Sequence, residues 1–214
     1  LPLHNLNANI LHADALFTDW PRADAIVGNP PYLDARKMTM EYGADYTKRL
    51  RKAYPGVPGR ADLVTYWYRK AHDHLAADGR AGLVGTNSIR QNNSREGSLD
   101  YIVANGGTIY DAVSTQVWSG DAAVHVSIVN WVKGEEEGEK RLTSQLGDSV
   151  NSPWTVVVLP RIGASLSSGY DVTTAKSLRA NSSSDGCFEG KQPGHDGFRL
   201  TKAERAELLH ADPA

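Results

Sequence analysis

Several residue types and patterns are scarce in this chain, and each scarcity excludes a class of protein. Its 214 residues include one cysteine, Cys187, which excludes an internal disulfide framework and a zinc site built from several cysteines. His72 and His74 stand two residues apart, a spacing that does not share a helix face, so no metal site is expected. The chain has no signal-peptide pattern and no apolar run of membrane length, which favours a cytoplasmic location. A formal net charge of −2 predicts no general affinity for polyanions.

What the sequence does contain is a short loop motif behind an apolar run. Asn29-Pro30-Pro31-Tyr32 follows residues 23–28, which are predicted to form a buried strand. The side-chain oxygen of Asn29 and the backbone carbonyl of Pro30 can each accept one hydrogen of an exocyclic amine, which stabilises positive charge as it grows on that nitrogen. Pro31 restricts Pro30 to extended conformations, so this carbonyl is held at one angle. The ring of Tyr32 offers a stacking face to a base rotated out of a duplex.

Two acidic residues stand on either side of the loop motif. Asp14 ends a predicted short strand over 9–16, and Asp62 lies in the first turn of a predicted amphipathic helix with apolar residues four apart from Leu63 to Leu75. With the loop motif, this arrangement resembles the gamma-class adenine-N6 DNA methyltransferases of restriction and modification systems. The resemblance implies that Asp14 binds the adenine amine of the cofactor S-adenosylmethionine and that Asp62 lines the cofactor side of the site. For Asp62, a charge that complements the helix N-terminus is an equally good interpretation.

The segments that follow continue the resemblance. A short apolar strand over 81–85 leads to Asn87, at the carboxyl end where ligands lie in open α/β sheets. A helix over 95–104, a strand over 108–113 and an alternating run over 124–132 come next, and the last two are expected to pair as an antiparallel hairpin. The implied fold is α/β: a partial Rossmann-like class I methyltransferase sheet with an antiparallel terminal hairpin, plus a Ser/Gly-rich extension.

A basic segment directly after the loop motif predicts contacts with DNA. Residues 36–60 hold seven basic and two acidic residues, a local excess suited to the phosphates beside an extruded base. The candidate phosphate contacts are Arg36, Lys37, Lys48, Arg49, Arg51 and Lys52, with Tyr42, Tyr46 and Tyr54 among them. A solvated helix face with ion pairs is the alternative. The resemblance also makes His125, and less directly Trp118, a candidate to stack on the flipped base, although a buried core histidine is the commoner explanation of His125.

The chain is expected to divide into three parts. Residues 1–134 form the catalytic half of the methyltransferase domain, 135–185 a Ser-, Gly- and Asn-rich linker with one short strand over 154–159, and 186–214 the start of a target-recognition domain. The Gly-rich cofactor loop of the family is not found in the thirteen residues before Asp14. We therefore expect a fragment that lacks an upstream part of the same polypeptide and is inactive alone.

Three functions agree with these observations. The first is part of an enzyme that moves a methyl group from S-adenosylmethionine to adenine N6 in double-stranded DNA after base flipping, in a type II enzyme that also carries an endonuclease. The second is a protein-glutamine or guanine-N2 RNA methyltransferase, because those enzymes share the loop motif. The third is a non-catalytic DNA-binding fragment. The basic segment and the recognition-like tail favour the first function.

Overall fold

The fold is mixed α/β and is built on one six-stranded sheet. The computed structural model describes residues 10–119, 124–169 and Thr201. The chain separates into two compact units, Leu1–Thr174 and Ala175–Ala214. The predicted start of a recognition domain, 186–214, lies outside the described residues except for Thr201. Among the described residues no helix is long and apolar enough to cross a membrane.

The sheet combines parallel and antiparallel pairs in the order β1-β2-β4-β3-β5-β6. Its strands are β1 Ala25–Gly28, β2 Arg80–Thr86, β3 Gly107–Val117, β4 His125–Lys133, β5 Lys140–Gln145 and β6 Trp154–Leu159. β1 pairs parallel with β2, and β4 inserts antiparallel between β2 and β3. β5 pairs parallel with β3 and antiparallel with β6. The carboxyl ends of β1 and β2 therefore lie at the same edge as the start of β4.

Helices connect the strands and cover part of the sheet. They are α1 Ala35–Tyr42, α2 Ala44–Ala53, α3 Leu63–His74, α4 Asn92–Arg95 and α5 Tyr101–Ala104. A π-helical turn, Glu96–Asp100, joins α4 to α5, so the helix predicted over 95–104 exists but is interrupted. Gly43 separates α1 from α2 with a φ of 83°, a conformation that favours glycine.

The predicted hairpin and α/β class are confirmed. Residues 107–117 and 125–133 pair antiparallel, and the strand predicted over 81–85 lies within β2. The hairpin does not end the sheet, because β5 and β6 extend it beyond β3. The strand predicted over 154–159 is β6. The division of the chain at residues 134 and 185 stays a prediction, although the sheet continues past the first of these positions.

The strand predicted over 9–16 is wrong for its described part. Residues 10–16 form no strand, and Asp14 instead begins a turn in which its carbonyl accepts hydrogen bonds from the amides of Phe17 and Thr18, both at 3.0 Å. Ile10 and Leu11 are 71% and 63% exposed. A strand forms only where a neighbour completes its hydrogen-bond ladder, and this segment has no such neighbour among the described residues.

β1 lies where it was predicted but is not buried. Val27 is 84% exposed, and of the four strand residues only Ile26 packs against the core. Within the described residues β1 is an edge strand with one neighbour, β2. An edge strand is covered on fewer sides than a central one, which explains the exposure.

The core lies on both sides of α3. Towards the sheet, Tyr68 stacks on Trp131 of β4 with ring centroids 5.5 Å apart. On the other side, a smaller cluster contains the fully buried Met38 of α1 and Leu50 of α2. This second cluster holds the α1–α2 pair against α3 and so fixes the segment that follows the loop motif.

Candidate functional site

The loop motif lies at the carboxyl end of β1, as its position in the sequence predicted. Asn29 is exposed, Pro30 is buried and Tyr32 is half-buried against the main core. The hydroxyl of Tyr32 donates a hydrogen bond to Oδ1 of Asn29. Burial raises the pKa of Tyr32, so the phenol stays a protonated donor at neutral pH. A carbonyl oxygen has two lone pairs, so Asn29 retains acceptor capacity for a second donor.

Asp62 connects the start of α3 to the segment after the loop motif. Its carboxylate accepts the amide hydrogen of Ala35 at 3.1 Å, and its own amide donates to the hydroxyl of Ser94 at 3.1 Å. The amide of Leu63 donates to the carbonyl of Leu33 at 2.9 Å. Asp62 is the N-cap residue of α3 but makes no side-chain capping bond. Its carboxylate therefore holds the loop against the helix.

Asp14 lies in a cavity that also contains a residue of the loop motif. The cavity has a volume of about 690 Å³ and is lined by Asp14, Pro31, Tyr42, Tyr46 and Trp67, among others. The amide of Leu16 donates to Oδ1 of Asp14 at 3.0 Å, which fixes the carboxylate on its turn. A carboxylate among aromatic rings suits a flat ligand that carries a hydrogen-bond donor at its edge.

A second cavity is lined by Asp62 together with basic and amide side chains. It has a volume of about 610 Å³, and its lining includes Arg36, Arg51, Arg60, Asp34, Asn92 and Asn93. Arg36 forms an ion pair with Asp34 at 2.8 Å. Hydrogen bonds from the side chain and the backbone of Arg36 lower the pKa of Asp34 to about 2. The three guanidinium groups exceed the two carboxylates of this lining, so the cavity suits an anionic group.

The basic residues predicted to contact DNA divide into two groups. Arg49 lies over the ring of Phe17 with its guanidinium carbon 3.8 Å from the centroid, and Arg51 donates to the carbonyl of Gly59 at 2.9 Å. The ammonium groups of three exposed lysines of α1 and α2 make no hydrogen bond or ion pair within the described part of the chain: they belong to Lys37, Lys48 and Lys52. Exposed ammonium groups on α1 and α2 remain available to phosphates.

His125 begins β4, at the same sheet edge as the carboxyl end of β2. Its Nε2 lies 3.3 Å from Oδ1 of Asp148, and its side chain is 37% exposed. The interpretation of His125 as a fully buried core histidine is therefore wrong. Trp118 is half-buried at the end of the β3–β4 hairpin. Asn87 points inward, because its side-chain amide bridges the hydroxyls of Thr115 and Ser127 at 2.8 and 3.1 Å.

The comparison with known families decides the classification. The model of the MmeI DNA-methyltransferase domain matches residues 1–144. The chain belongs to this family. The predicted kinship with DNA methyltransferases of restriction and modification systems is thereby confirmed. No match was found among curated proteins.

The chain is similar to several solved structures of restriction and modification enzymes, to different degrees. The chain is 29% identical to the type IIL restriction-modification enzyme MmeI, solved in complex with DNA, over 76% of this chain, with a TM-score of 0.63. It covers 23% of that MmeI chain. The type IIG restriction endonuclease BpuSI is 10% identical over 64% of this chain and 19% of its own, with a TM-score of 0.46. A type I methyltransferase subunit from Streptococcus thermophilus is 16% identical over 62% of this chain and 29% of its own, with a TM-score of 0.39.

Some residues of the site were not predicted as such. Tyr42, Tyr46 and Trp67 line the Asp14 cavity, whereas the tyrosines had been noted only as part of the basic segment and Trp67 only as an apolar helix position. The sequence around these residues predicts that they lie on helices, but it does not indicate which cavity their side chains line. No group of three or more His, Cys, Asp or Glu able to hold a metal ion occurs among the described residues.

Proposed function

We propose that the chain is part of an S-adenosylmethionine-dependent methyltransferase that modifies adenine N6 in double-stranded DNA. The observation that carries this proposal is the Asn29-Pro30-Pro31-Tyr32 loop at the carboxyl end of β1, beside the Asp14 cavity. Membership of the MmeI DNA-methyltransferase family supports methyl transfer, and the solved MmeI complex supports DNA as the substrate. The chain spans about a quarter of that enzyme's length, so the proposal concerns the methyl-transfer part.

Asn29 and Pro30 would hold the target amine. In adenine the N6 lone pair is delocalised into the ring, so it must be localised before it can attack a methyl group. Oδ1 of Asn29 and the carbonyl of Pro30 would each accept an N6 hydrogen and would stabilise the positive charge that grows on nitrogen. Pro31 holds the Pro30 carbonyl in position before substrate arrives. The ring of Tyr32 would stack on the flipped base.

The Asp14 cavity fits the adenosyl end of the methyl donor. S-adenosylmethionine, when bound, supplies an electrophilic methyl group. Asp14 would accept the exocyclic amine of its purine, and the apolar and aromatic lining supplied by Pro31 and Trp67 would contact the ring faces. Asp62 lines the second cavity rather than the Asp14 cavity, and it would act on the site through the amide of Ala35, by holding the segment that follows the loop motif.

Duplex DNA would contact the face formed by α1 and α2. The proposed phosphate contacts are Arg36, Lys37, Lys48, Arg49, Arg51 and Lys52, with the three lysines contributing most because their ammonium groups have no internal partner within the described residues. His125 would stack on the flipped base from the β4 edge. We also propose that residues 186–214 begin a target-recognition domain and that the protein acts in the cytoplasm.

A product analysis tests this function. The full-length gene product is incubated with S-adenosylmethionine labelled in its methyl group and with duplex DNA long enough to contain every short recognition sequence. After digestion to nucleosides, mass spectrometry should find the label in N6-methyladenine. Parallel reactions with ribosomal RNA and with protein acceptors test the two alternative activities, guanine-N2 RNA methylation and protein-glutamine methylation. Label in N2-methylguanine of RNA or in a glutamine side chain, with none in DNA, would contradict the proposal.

A further inference from the structure

Two tyrosines from the α1–α2 pair form one wall of the Asp14 cavity. Tyr42 ends α1 and Tyr46 lies in the first turn of α2, and both line the cavity together with Asp14 and Pro31. Their rings stack with centroids 4.9 Å apart and planes inclined by 29°. Tyr46 also meets Phe17 edge-on at 5.5 Å. A segment that the sequence assigns to DNA thus also reaches the proposed cofactor side.

The wall is held in place by the packing beneath it. Met38 of α1 and Leu50 of α2 are fully buried in the smaller core cluster. Gly43 reverses the chain between the two helices with its positive φ. The guanidinium of Arg49 covers the Phe17 ring, which itself follows Asp14 in the same turn. Helix α2 and the Asp14 turn are therefore one packed unit, and Tyr46 lies at their junction.

Tyr46 lines the same cavity as Asp14, and its ring packs edge-on against Phe17 of the Asp14 turn. Burial, and then hydrogen bonding and charge from Asp14, raise the pKa of Tyr46 well above its ordinary value, so the phenol remains a donor. A carboxylate offers about four lone-pair positions. The amide of Leu16 occupies one of them, which leaves acceptor positions for the phenol of Tyr46 and for an incoming amine.

We propose that Tyr46 is a positioning residue of the cofactor cavity. Its hydroxyl fixes the direction in which Asp14 presents its free lone pairs, and its ring, backed by Tyr42, covers the purine. The inference rests on the proposed function, because it assumes that the cavity takes an adenosyl group. It assigns to α2 a second role beside the contact with DNA.

The test compares ligands that differ at the purine edge. S-inosylhomocysteine carries an oxo group where S-adenosylhomocysteine carries the amine that would donate a hydrogen bond to Asp14. Calorimetric titrations of both ligands are made with the full-length gene product and with Tyr46→Phe, Tyr46→Ala and Tyr110→Phe. Tyr110 is the matched control, because its ring lies 5.0 Å from the guanidinium carbon of Arg80, at the start of β2, and it does not line the Asp14 cavity. Thermal unfolding of each variant checks the fold.

The two Tyr46 variants should separate the contribution of the hydroxyl to ligand binding from that of the ring. Tyr46→Phe keeps the ring, and it should reduce the preference for the adenosyl ligand at least threefold because Asp14 is no longer held. Tyr46→Ala should in addition weaken both ligands about tenfold or more, since stacking on a base contributes about 1–3 kcal/mol. Tyr110→Phe should behave like the wild type.

Three results would overturn the inference in distinguishable ways. If the wild type binds S-adenosylhomocysteine and Tyr46→Ala binds both ligands with unchanged affinity, Tyr46 has no part in the cavity and the proposed function stands. If Tyr46→Phe lowers both affinities equally, its hydroxyl does not direct Asp14. If the wild type binds neither ligand, the cavity is not a cofactor site, and the proposed function fails together with the inference.

Discussion

At the scale of single residues, the catalytic proposal depends on one side-chain oxygen. Oδ1 of Asn29 is the acceptor that the loop presents at the end of β1, and the phenol of Tyr32 already donates to it. This contact orients the amide, so that its oxygen rather than its nitrogen is directed at the loop. Asn29 and Tyr32 thus act as a pair, which the motif alone did not indicate.

Replacement of Asn29 tests the acceptor. Asn29→Ala should lower the rate of methyl transfer by about 100-fold or more, comparable to the loss of one oxyanion-hole donor, because no other side chain of the loop replaces the lost acceptor. Single-turnover kinetics with the full-length enzyme measure the change. Asn151→Ala, in the exposed turn before β6, is the matched control and should keep the wild-type rate. An Asn29→Ala enzyme of near-normal rate would remove Asn29 from the mechanism.

Tyr32 is expected to act mainly through its ring. Tyr32→Ala should weaken capture of the flipped base by about 1–3 kcal/mol. Tyr32→Phe keeps the ring and loses only the hydrogen bond to Asn29, so we expect a loss of less than about tenfold, in line with a net hydrogen-bond contribution of about 0.5–1.5 kcal/mol. Fluorescence of 2-aminopurine at the mapped target position reports base capture. Equal damage by both variants would show that the hydroxyl, and not stacking, is decisive.

At the scale of elements, two segments are held in place by contacts that the local sequence does not predict: the start of β5 and the π-helical turn between α4 and α5. β5 begins with Lys140, which is only 3% exposed although lysine is rarely buried. Its ammonium donates to the carbonyls of Glu136, Glu137 and Gly138 at 2.6, 3.2 and 2.6 Å. The turn between β4 and β5 thus wraps around a cation, and this arrangement sets the start of the strand.

Removal of that cation should loosen the extension of the sheet. Lys140→Met leaves three carbonyl groups without their donor, and we expect a loss of about 2–4 kcal/mol in the free energy of unfolding, because hydrogen bonds to a charged group contribute about 1.5–3 kcal/mol and a methionine offsets part of the lost packing. Urea denaturation measures the difference. Lys52→Met, at an exposed position of α2, should change stability by less than about 0.5 kcal/mol. Equal stabilities of the two variants would contradict the role of Lys140.

The π-helical turn between α4 and α5 is fitted against the start of α3. A Cβ at Gly97 would meet Thr65 Cγ2 at 2.8 Å and Pro58 Cδ at 3.0 Å. Gly97→Ala should therefore destabilise the fold by about 1–3 kcal/mol through overpacking. Gly59→Ala is the control, since the nearest atoms would lie at 3.7 Å. Thermal unfolding compares the stabilities of the two variants. If the Gly97→Ala protein is as stable as the Gly59→Ala protein, the π-helical turn can shift to accommodate the added methyl group without loss of stability.

At the scale of the whole molecule, apolar side chains lie exposed at both ends of the described sheet. Val27 of β1 is 84% exposed, and Val156 and Val158 of β6 are 55% and 54% exposed. Edge strands carry unpaired backbone donors and acceptors, which favours pairing with another chain. Within the described residues β1 pairs only with β2, so its outer edge is unpaired.

We accordingly predict that the 214-residue chain, produced alone, self-associates through β1 and binds S-adenosylmethionine weakly or not at all. Sedimentation velocity over a range of concentrations should show association for the wild type and less of it for Val27→Lys, which places a charge at the edge. Val156→Lys tests the opposite edge. Saturable micromolar binding of the cofactor by the isolated chain would contradict the expectation that its cofactor pocket is incomplete.

The sequence by itself determined the loop motif and the hairpin, because each of these depends on neighbours in the chain. The α/β class followed from the family resemblance that these motifs carry. Two consecutive prolines after an apolar run end a strand whatever surrounds it, and alternation over 124–132 marks one sheet face. Helix α3 was predictable for the same reason, since its apolar residues recur at helical spacing.

Tertiary structure alone decided the Asp14 turn, β5 and the wall of the cavity. Residues 10–16 are as apolar as a strand but pair with no neighbour in the described part of the chain, and so they form a turn. β5 has polar residues at buried positions, Lys140 and Gln145, whose partners come from adjacent turns, so no hydrophobic alternation marks it. Tyr46 lines the same cavity as Asp14 because a buried cluster docks α2 there, and the proximity of residues 32 positions apart leaves no local pattern.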